Sequence, residues 1–232
     1  MIFRKTVSTK WTAAQKFEFR HAKKFMNAID TQSLLKRINS PDFRVSSGYT
    51  DPSIVEEFFG GSITDWEQFV RHITDRTVLE VGPCIASQIA GWDVAKSRLA
   101  VEPLYEKISA EQQRRFGIDG YPNVKAFSIG AEICIDELVG KVDGAVLIRN
   151  CLDHSPHWPF ILANLSLYST KGAQLLLWND LWHPRHLQRG HFDVCKNTDQ
   201  FRNLLSAHGW QVLFEFQKES ECVNYGCRAV RI

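Results

Sequence analysis

From Thr77 onward the chain alternates short apolar runs with longer amphipathic stretches. Residues 77–81, 99–102, 124–128, 144–149 and 174–178 are short and rich in aliphatic side chains, and they predict buried strands. Between them, residues 85–96, 105–116, 132–138 and 158–168 space their apolar positions as helices do. Strand–helix alternation of this kind predicts a parallel sheet with helices on both faces. After a further helix over residues 198–208, two strand-like runs at 210–217 and 223–232 are joined by a short turn. Too little chain separates them for a parallel crossover, so they are expected to pair antiparallel. The pattern predicts an α/β fold with a seven-stranded, mostly parallel sheet ending in an antiparallel C-terminal hairpin.

The N-terminal part reads differently. Ala14, Phe17, His21, Phe25, Ala28 and Ile29, then Leu34, Leu35 and Ile38, predict one or two amphipathic helices ending at Ser40-Pro41. Residues 44–60 carry Ser-Ser-Gly and Gly-Gly signals and predict a loop around a short helix, with Asp65 capping another helix that runs to about His72. The organisation expected is a helical extension over residues 1–70, acting as a lid, and one cofactor-binding domain over residues 71–232.

Composition narrows the class. Of 232 residues, 44% are hydrophobic and 23% charged, which fits a globular chain. No apolar run reaches the ~20 residues of a membrane span, and the N-terminus lacks the apolar core of a signal peptide. Six cysteines without a C-x-x-C pair suit a reducing compartment, so a cytoplasmic protein with no membrane partner is expected. A net charge of +2 does not suggest a nucleic-acid partner. Residues 1–24 nevertheless hold seven Lys/Arg against the single acid Glu18, either a solvated face or a site for an anionic partner.

In open α/β sheets ligands bind beyond the carboxyl ends of the strands. The first predicted strand ends in Glu80-Val81-Gly82-Pro83-Cys84-Ile85-Ala86. Against the dinucleotide fingerprint G-x-G-x-x-G only Gly82 fits, which argues against NAD or FAD, whose pyrophosphate must press on that turn. A cofactor placing only an amino-acid moiety there tolerates small side chains. Glu102 follows Gly82 by 20 residues, the offset of a ribose-binding acid, and would repel the 2′-phosphate of NADP. The loop at Gly130-Ala131-Glu132 is placed to cover an adenine. Asn150-Cys151-Leu152-Asp153-His154 falls where a cofactor's reactive end would lie.

Together these segments resemble class I methyltransferases dependent on S-adenosylmethionine (SAM), of the small-molecule (type 11) kind. Val78-Leu79-Glu80-Val81-Gly82 is similar to that family's first motif, Val101-Glu102-Pro103-Leu104 to its acidic strand end, and Gly130-Ala131-Glu132 to its adenine loop. Asn150-Cys151-Leu152-Asp153-His154 resembles the N-x-L-D-H stretch, Lys171-Gly172-Ala173 the glycine-bearing approach to strand five, and Trp11-x-x-Ala14-Gln15-x-x-Glu18 an N-terminal helix of some members. The resemblance implies a Rossmann-like fold, SAM as cofactor and a small-molecule acceptor. It implies cofactor contacts by Glu80, Gly82, Cys84, Ala86, Glu102, Pro103, Leu104, Ala131, Glu132 and Asn150. Cys84 and Ala86 stand where the family's E-x-G-x-G-x-G turn has its second and third glycines.

For an oxygen nucleophile, His154 is the expected general base, with Asp153 orienting it or binding cofactor. Trp11, Gln15, His183 and His186 are expected to line the acceptor pocket and lid. With the basic N-terminal helix this lid would favour an anionic or phosphorylated acceptor. His183, His186 and His191, with Cys195 beyond, follow an H-x2-H-x4-H spacing that matches no recognised zinc site, and Pro184 interrupts any helical face, so no metal is expected. A SAM-binding protein without methyl transfer and a nucleotide-dependent oxidoreductase are the rival readings.

Overall fold

The computed structural model describes residues 9–32, 52–184 and 190–232. The helices are α1 (Thr9–Ala28), α2 (Pro52–Phe59), α3 (Ile63–Ile73), α4 (Tyr105–Phe116), α5 (Trp158–Tyr168) and α6 (Thr198–Ala207). The strands are β1 (Thr77–Val81), β2 (Ser97–Val101), β3 (Lys125–Phe127), β4 (Ala145–Arg149), β5 (Gln174–Trp182), β6 (Trp210–Phe216) and β7 (Val223–Arg231). They form one sheet in the order β3-β2-β1-β4-β5-β7-β6. The first five strands run parallel, and β7 inserts antiparallel between β5 and β6. This is the expected Rossmann-like sheet with its antiparallel C-terminal pair. No helix among the described residues is long and apolar enough to cross a membrane.

Alternate residues of a strand face opposite sides, so the aliphatic runs supply two cores at once. On one face Leu79, Val81, Val146 and Ile148 pack with Ile161, Leu162 and Leu165 of α5 and Phe201 of α6. On the other, Val78, Ala145, Leu147 and Leu176 pack with Phe58 of α2 and Trp66, Phe69 and Ile73 of α3. Helices from the first seventy residues therefore share the hydrophobic core of the sheet.

The second face differs from expectation. Residues 85–96 form no α-helix, only a 3₁₀ turn over Gln88–Gly91. The buried Glu80 carboxylate draws this segment around itself. Ser87 Oγ donates at 2.6 Å, and the Gln88 and Ile89 amides at 2.9 and 3.4 Å, all to Oε2. Gly91 further disfavours a continuous helix. Residues 132–138 likewise reduce to a 3₁₀ turn at Asp136–Leu138. There α5 satisfies the backbone that a helix would have used: Asn164 Nδ2 donates to the Ala131 carbonyl at 2.8 Å, and the Ile135 amide donates to Tyr168 Oη at 2.8 Å.

Helix α3 is capped by Ser62, not by Asp65. The Ser62 side chain accepts from the Asp65 amide, and the Asp65 carboxylate pairs with Arg228 of β7 at 3.1 Å. Helix α1 buries Ala14, Ala22 and Met26, whereas His21 and Ala28 of the expected apolar face are exposed. Its orientation is set against α4, where Arg115 Nη1 donates to the Met26 carbonyl at 2.9 Å and Lys23 lies 3.9 Å from Glu111. The expectations for residues 33–51, including Leu34, Leu35, Ile38 and Ser40-Pro41, lie outside the described residues.

Candidate functional site

A cleft of about 690 Å³, counted to its open mouth, lies beyond the carboxyl ends of β1, β2 and β4. The parallel register levels Val81 with Val101 and Ile148, so the turns that follow these strands converge there. Gly82 has φ +70°, and a Cβ on it would come within 2.5 Å of Cys151 Cβ. Only glycine lets the β1 and β4 turns press together in this way.

Cys84 also has a left-handed backbone, φ +56°, at the position where a glycine would be unstrained. Its surroundings hold that conformation. The Cys84 amide donates to Glu102 Oε2 at 3.0 Å, Tyr121 Oη donates to the Cys84 carbonyl, and Gln112 Nε2 donates to the Ile85 carbonyl at 2.6 Å. The glycine-like turn is thus kept without the glycine. Burial, followed by the nearby Glu102 charge, pushes the Cys84 thiol up to about 12, and burial also raises Cys151, so neither is a thiolate nucleophile near neutral pH.

Glu102 lies just past β2. Its Oε1 accepts from the Leu104 amide at 2.9 Å, complementing the Cys84 bond to Oε2. Burial raises its pKa, and these two N–H bonds pull it back toward the charged form. The Glu132 side chain folds back over Gly130, where a Cβ would meet its carboxylate at 2.5 Å. Glu132 lines the cleft, and its buried Oε2 has no hydrogen-bond partner among the described residues. With Glu18, the wall carries three carboxylates and no lysine or arginine among the described residues.

Ten of the expected site residues line this cleft: Gln15, Gly82, Cys84, Glu102, Pro103, Leu104, Ala131, Glu132, Asn150 and His154. Glu80 and Ala86 do not. Glu80 is consumed in bracing the 3₁₀ turn, and the loop that replaces the expected helix carries Ala86 away from the wall. Asn150, at φ +50°, uses Oδ1 to accept from the Asp180 amide at 3.3 Å.

The histidines are arranged differently from the sequence expectation. His154 Nδ1 meets Glu18 of α1 at 3.1 Å, whereas its Nε2 is 3.8 Å from Asp153, beyond a hydrogen bond. Glu18, not Asp153, therefore orients His154. Burial alone would depress the His154 pKa, but the Glu18 bond and then the Asp153 charge overcome this and carry it to about 9. At neutral pH His154 is thus an imidazolium paired with Glu18 and not a free base. Asp153 is fully buried and bonds instead to His191 Nδ1 at 2.7 Å and to Asn179 Nδ2 at 3.0 Å. Burial would raise Asp153, yet the His191 bond and the surrounding imidazoles hold it below the usual carboxylate range. His183 is buried beside Asp153 and Asp180 and does not line the cleft.

Helix α1 crosses the cleft's edge with Gln15 and Glu18 facing in, while Lys16, Arg20, Lys23 and Lys24 are exposed on its far side. Of the basic residues that suggested an anionic acceptor, these four turn away from the cleft, and the side chains of Arg4, Lys5 and Lys10 lie outside the described residues. Phe17 packs over Gly190, where a Cβ would come within 2.7 Å of the ring, so α1 meets the chain that follows β5. The side chain of Trp11 and the whole of His186 lie outside the described residues.

Neither a protein-family model nor a curated protein matches this sequence. Solved structures match it by fold. A 1,6-didemethyltoxoflavin-N1-methyltransferase from Burkholderia thailandensis superposes with a TM-score of 0.56 at 12% identity, over 98% of this chain and 92% of that one. A SAM-dependent methyltransferase from Aquifex aeolicus gives 0.52 at 16% identity, over 88% of this chain and 100% of that one. At these identities the likeness establishes the fold, and this chain has the Rossmann-like fold of the SAM-dependent methyltransferases.

Proposed function

We propose that this protein binds SAM in the cleft and transfers its methyl group to a small-molecule acceptor through an oxygen nucleophile. The observation that carries the reading is the wall itself: Glu102 and Glu132 stand beside the Glu18–His154 pair, with no lysine or arginine among the described residues and a buried Glu132 oxygen without a partner. Such a wall repels a pyrophosphate and suits a nucleoside joined to a cation. A protein of the same fold was solved with S-adenosylhomocysteine, which supports the same class of ligand here.

SAM supplies an electrophilic methyl group on a positively charged sulfur. In this reading Glu102 accepts from the ribose hydroxyls and Glu132 Oε2 accepts from the adenine amino group. Gly82 and Cys84 leave room for the amino-acid end. Glu18 and His154 stand at the α1 side of the cleft, where they orient the acceptor, and α1 narrows the mouth and excludes water. A neutral or cationic acceptor fits the acidic wall better than the anionic one expected from sequence.

A second reading, SAM binding without transfer, is favoured by one observation: the imidazole lining the cleft already has Nδ1 engaged by the Glu18 carboxylate at 3.1 Å. The two readings separate in a single experiment. Calorimetry with SAM is followed by measurement of S-adenosylhomocysteine release across a panel of hydroxylated acceptors. Release with any acceptor supports transfer, binding without release on the whole panel supports the second reading, and absence of binding overturns both.

A further inference from the structure

Behind His154, away from the cleft wall, a second group of polar side chains converges. Asp153 Oδ2 lies 2.7 Å from His191 Nδ1 and 3.5 Å from His183 Nε2. These three atoms all fall within 4.8 Å of one another. Asp180 Oδ2 stands 3.7 Å from the same His183 nitrogen, and its buried Oδ1 has no hydrogen-bond partner among the described residues. Asp153 is fully buried, with Oδ1 held by Asn179 Nδ2, so Oδ2 is the oxygen presented to the two imidazoles. The main chain braces the same set. The Phe192 amide donates to the Asp153 carbonyl at 2.6 Å, and the Val194 and Cys195 amides donate to the Leu181 carbonyl at 2.8 and 3.0 Å.

We propose that Asp153, His183 and His191 bind a divalent transition-metal ion of the zinc class. Two imidazoles and a carboxylate suit zinc and its first-row neighbours, whereas magnesium and calcium prefer oxygen-only sets. Bonds of about 2.0–2.2 Å in a tetrahedral site place donor atoms roughly 3.3–3.5 Å apart. The Asp153–His183 pair already has that spacing, and the Asp153–His191 pair must open by about 0.6–0.8 Å. A cation would also neutralise two carboxylates that burial brings close together. It would tie the end of β5 to the turn after β4, and hence to His154 at the cleft, whose ring centroid is 4.7 Å from that of His191. The H-x2-H-x4-H spacing did not reveal this set because one donor comes from a different strand end. The bound ion is independent of SAM, so this inference stands or falls separately from the proposed activity.

The test uses the full chain, stripped with EDTA and titrated with Zn²⁺ and with Co²⁺. One equivalent of each should bind, and Co²⁺ should give the visible absorption bands of a low-coordinate nitrogen–oxygen site. Asp153→Asn can keep its hydrogen bonds but is a poor ligand, and His191→Ala removes a ligand at the rim of the cluster. Each should weaken Zn²⁺ binding by at least about tenfold. His157→Ala, an exposed histidine outside the cluster, should leave it unchanged. Circular dichroism and melting establish that each variant is folded, and a folded His191→Ala decides the matter if Asp153→Asn is not. Failure of the wild type to bind a stoichiometric ion, or unchanged affinity in a folded ligand variant, overturns the site and leaves a hydrogen-bonded His–Asp cluster.

Discussion

Replacing Gly82 with alanine tests whether the floor of the cleft is built as described. Two costs can be worked separately. The φ of +70° is left-handed, which costs an L-residue about 1–2 kcal/mol. The new methyl would also lie 2.5 Å from Cys151 Cβ and 2.9 Å from its Sγ. Cβ rides on the backbone and cannot swing aside, and overpacking of this kind costs about 1–3 kcal/mol. The Gly82 amide, bonded to the Val101 carbonyl at 3.0 Å, resists displacement of the turn. The expected total is about 2–5 kcal/mol, a large part of the stability of a typical domain. Urea denaturation followed by circular dichroism measures it, with the midpoint falling and the slope unchanged. Cys151→Gly removes the clashing atoms, so the double variant should recover the steric part and retain the left-handed cost. A double-mutant cycle should therefore give a coupling of about 1–3 kcal/mol. A loss below about 1 kcal/mol in the single variant, or no coupling, would refute the close approach of the two turns.

Three further perturbations follow from the same geometry. Glu102→Gln leaves one acceptor oxygen for the Cys84 and Leu104 amides, and it weakens the proposed ribose contact by about 1.5–3 kcal/mol, roughly tenfold to a hundredfold in Kd. An unchanged SAM affinity in the folded variant removes Glu102 from the site. Burial raises the Glu80 pKa from 4.5 to about 7, so the native state holds its proton more tightly than the unfolded chain. Stability should therefore fall as pH rises from about 4.5 to 7, by about 3 kcal/mol in total. Glu80→Gln, whose single carbonyl oxygen can serve the three donors that now address Oε2, should flatten that slope in urea melts; a slope that persists would assign it to other groups. Deleting residues 1–40 removes Gln15 and Glu18 from the wall, and it should spare much of the SAM binding while abolishing transfer. Retained turnover by the truncated chain would make α1 merely structural.

The elements set by local pattern were legible in the sequence. β1, α4 and α5 occupy the expected residues, because aliphatic runs and helical spacing there agree with what the neighbours require. Residues 85–96 have apolar positions at helical spacing too, yet the buried carboxylate of Glu80 takes the donors and makes a turn of them. That outcome depends on burial, which the local pattern does not carry. The cleft wall was readable because strand ends fix it: Gly82, Glu102, Glu132 and Asn150 each follow a strand. The Glu18–His154 and Asp153–His191 pairs were not, since each joins segments that only the topology brings together. His191 had a signal in its neighbouring histidines, and its partner was hidden one strand away. Glu18 had one as the lone acid of a basic helix.

The central claim is that the cleft takes SAM, and isothermal titration of the full chain with SAM, S-adenosylhomocysteine and NAD tests it most directly. The account predicts one equivalent of SAM and of S-adenosylhomocysteine bound, with no saturable heat from NAD against an acidic wall. Saturable NAD binding with none for SAM or S-adenosylhomocysteine would contradict it.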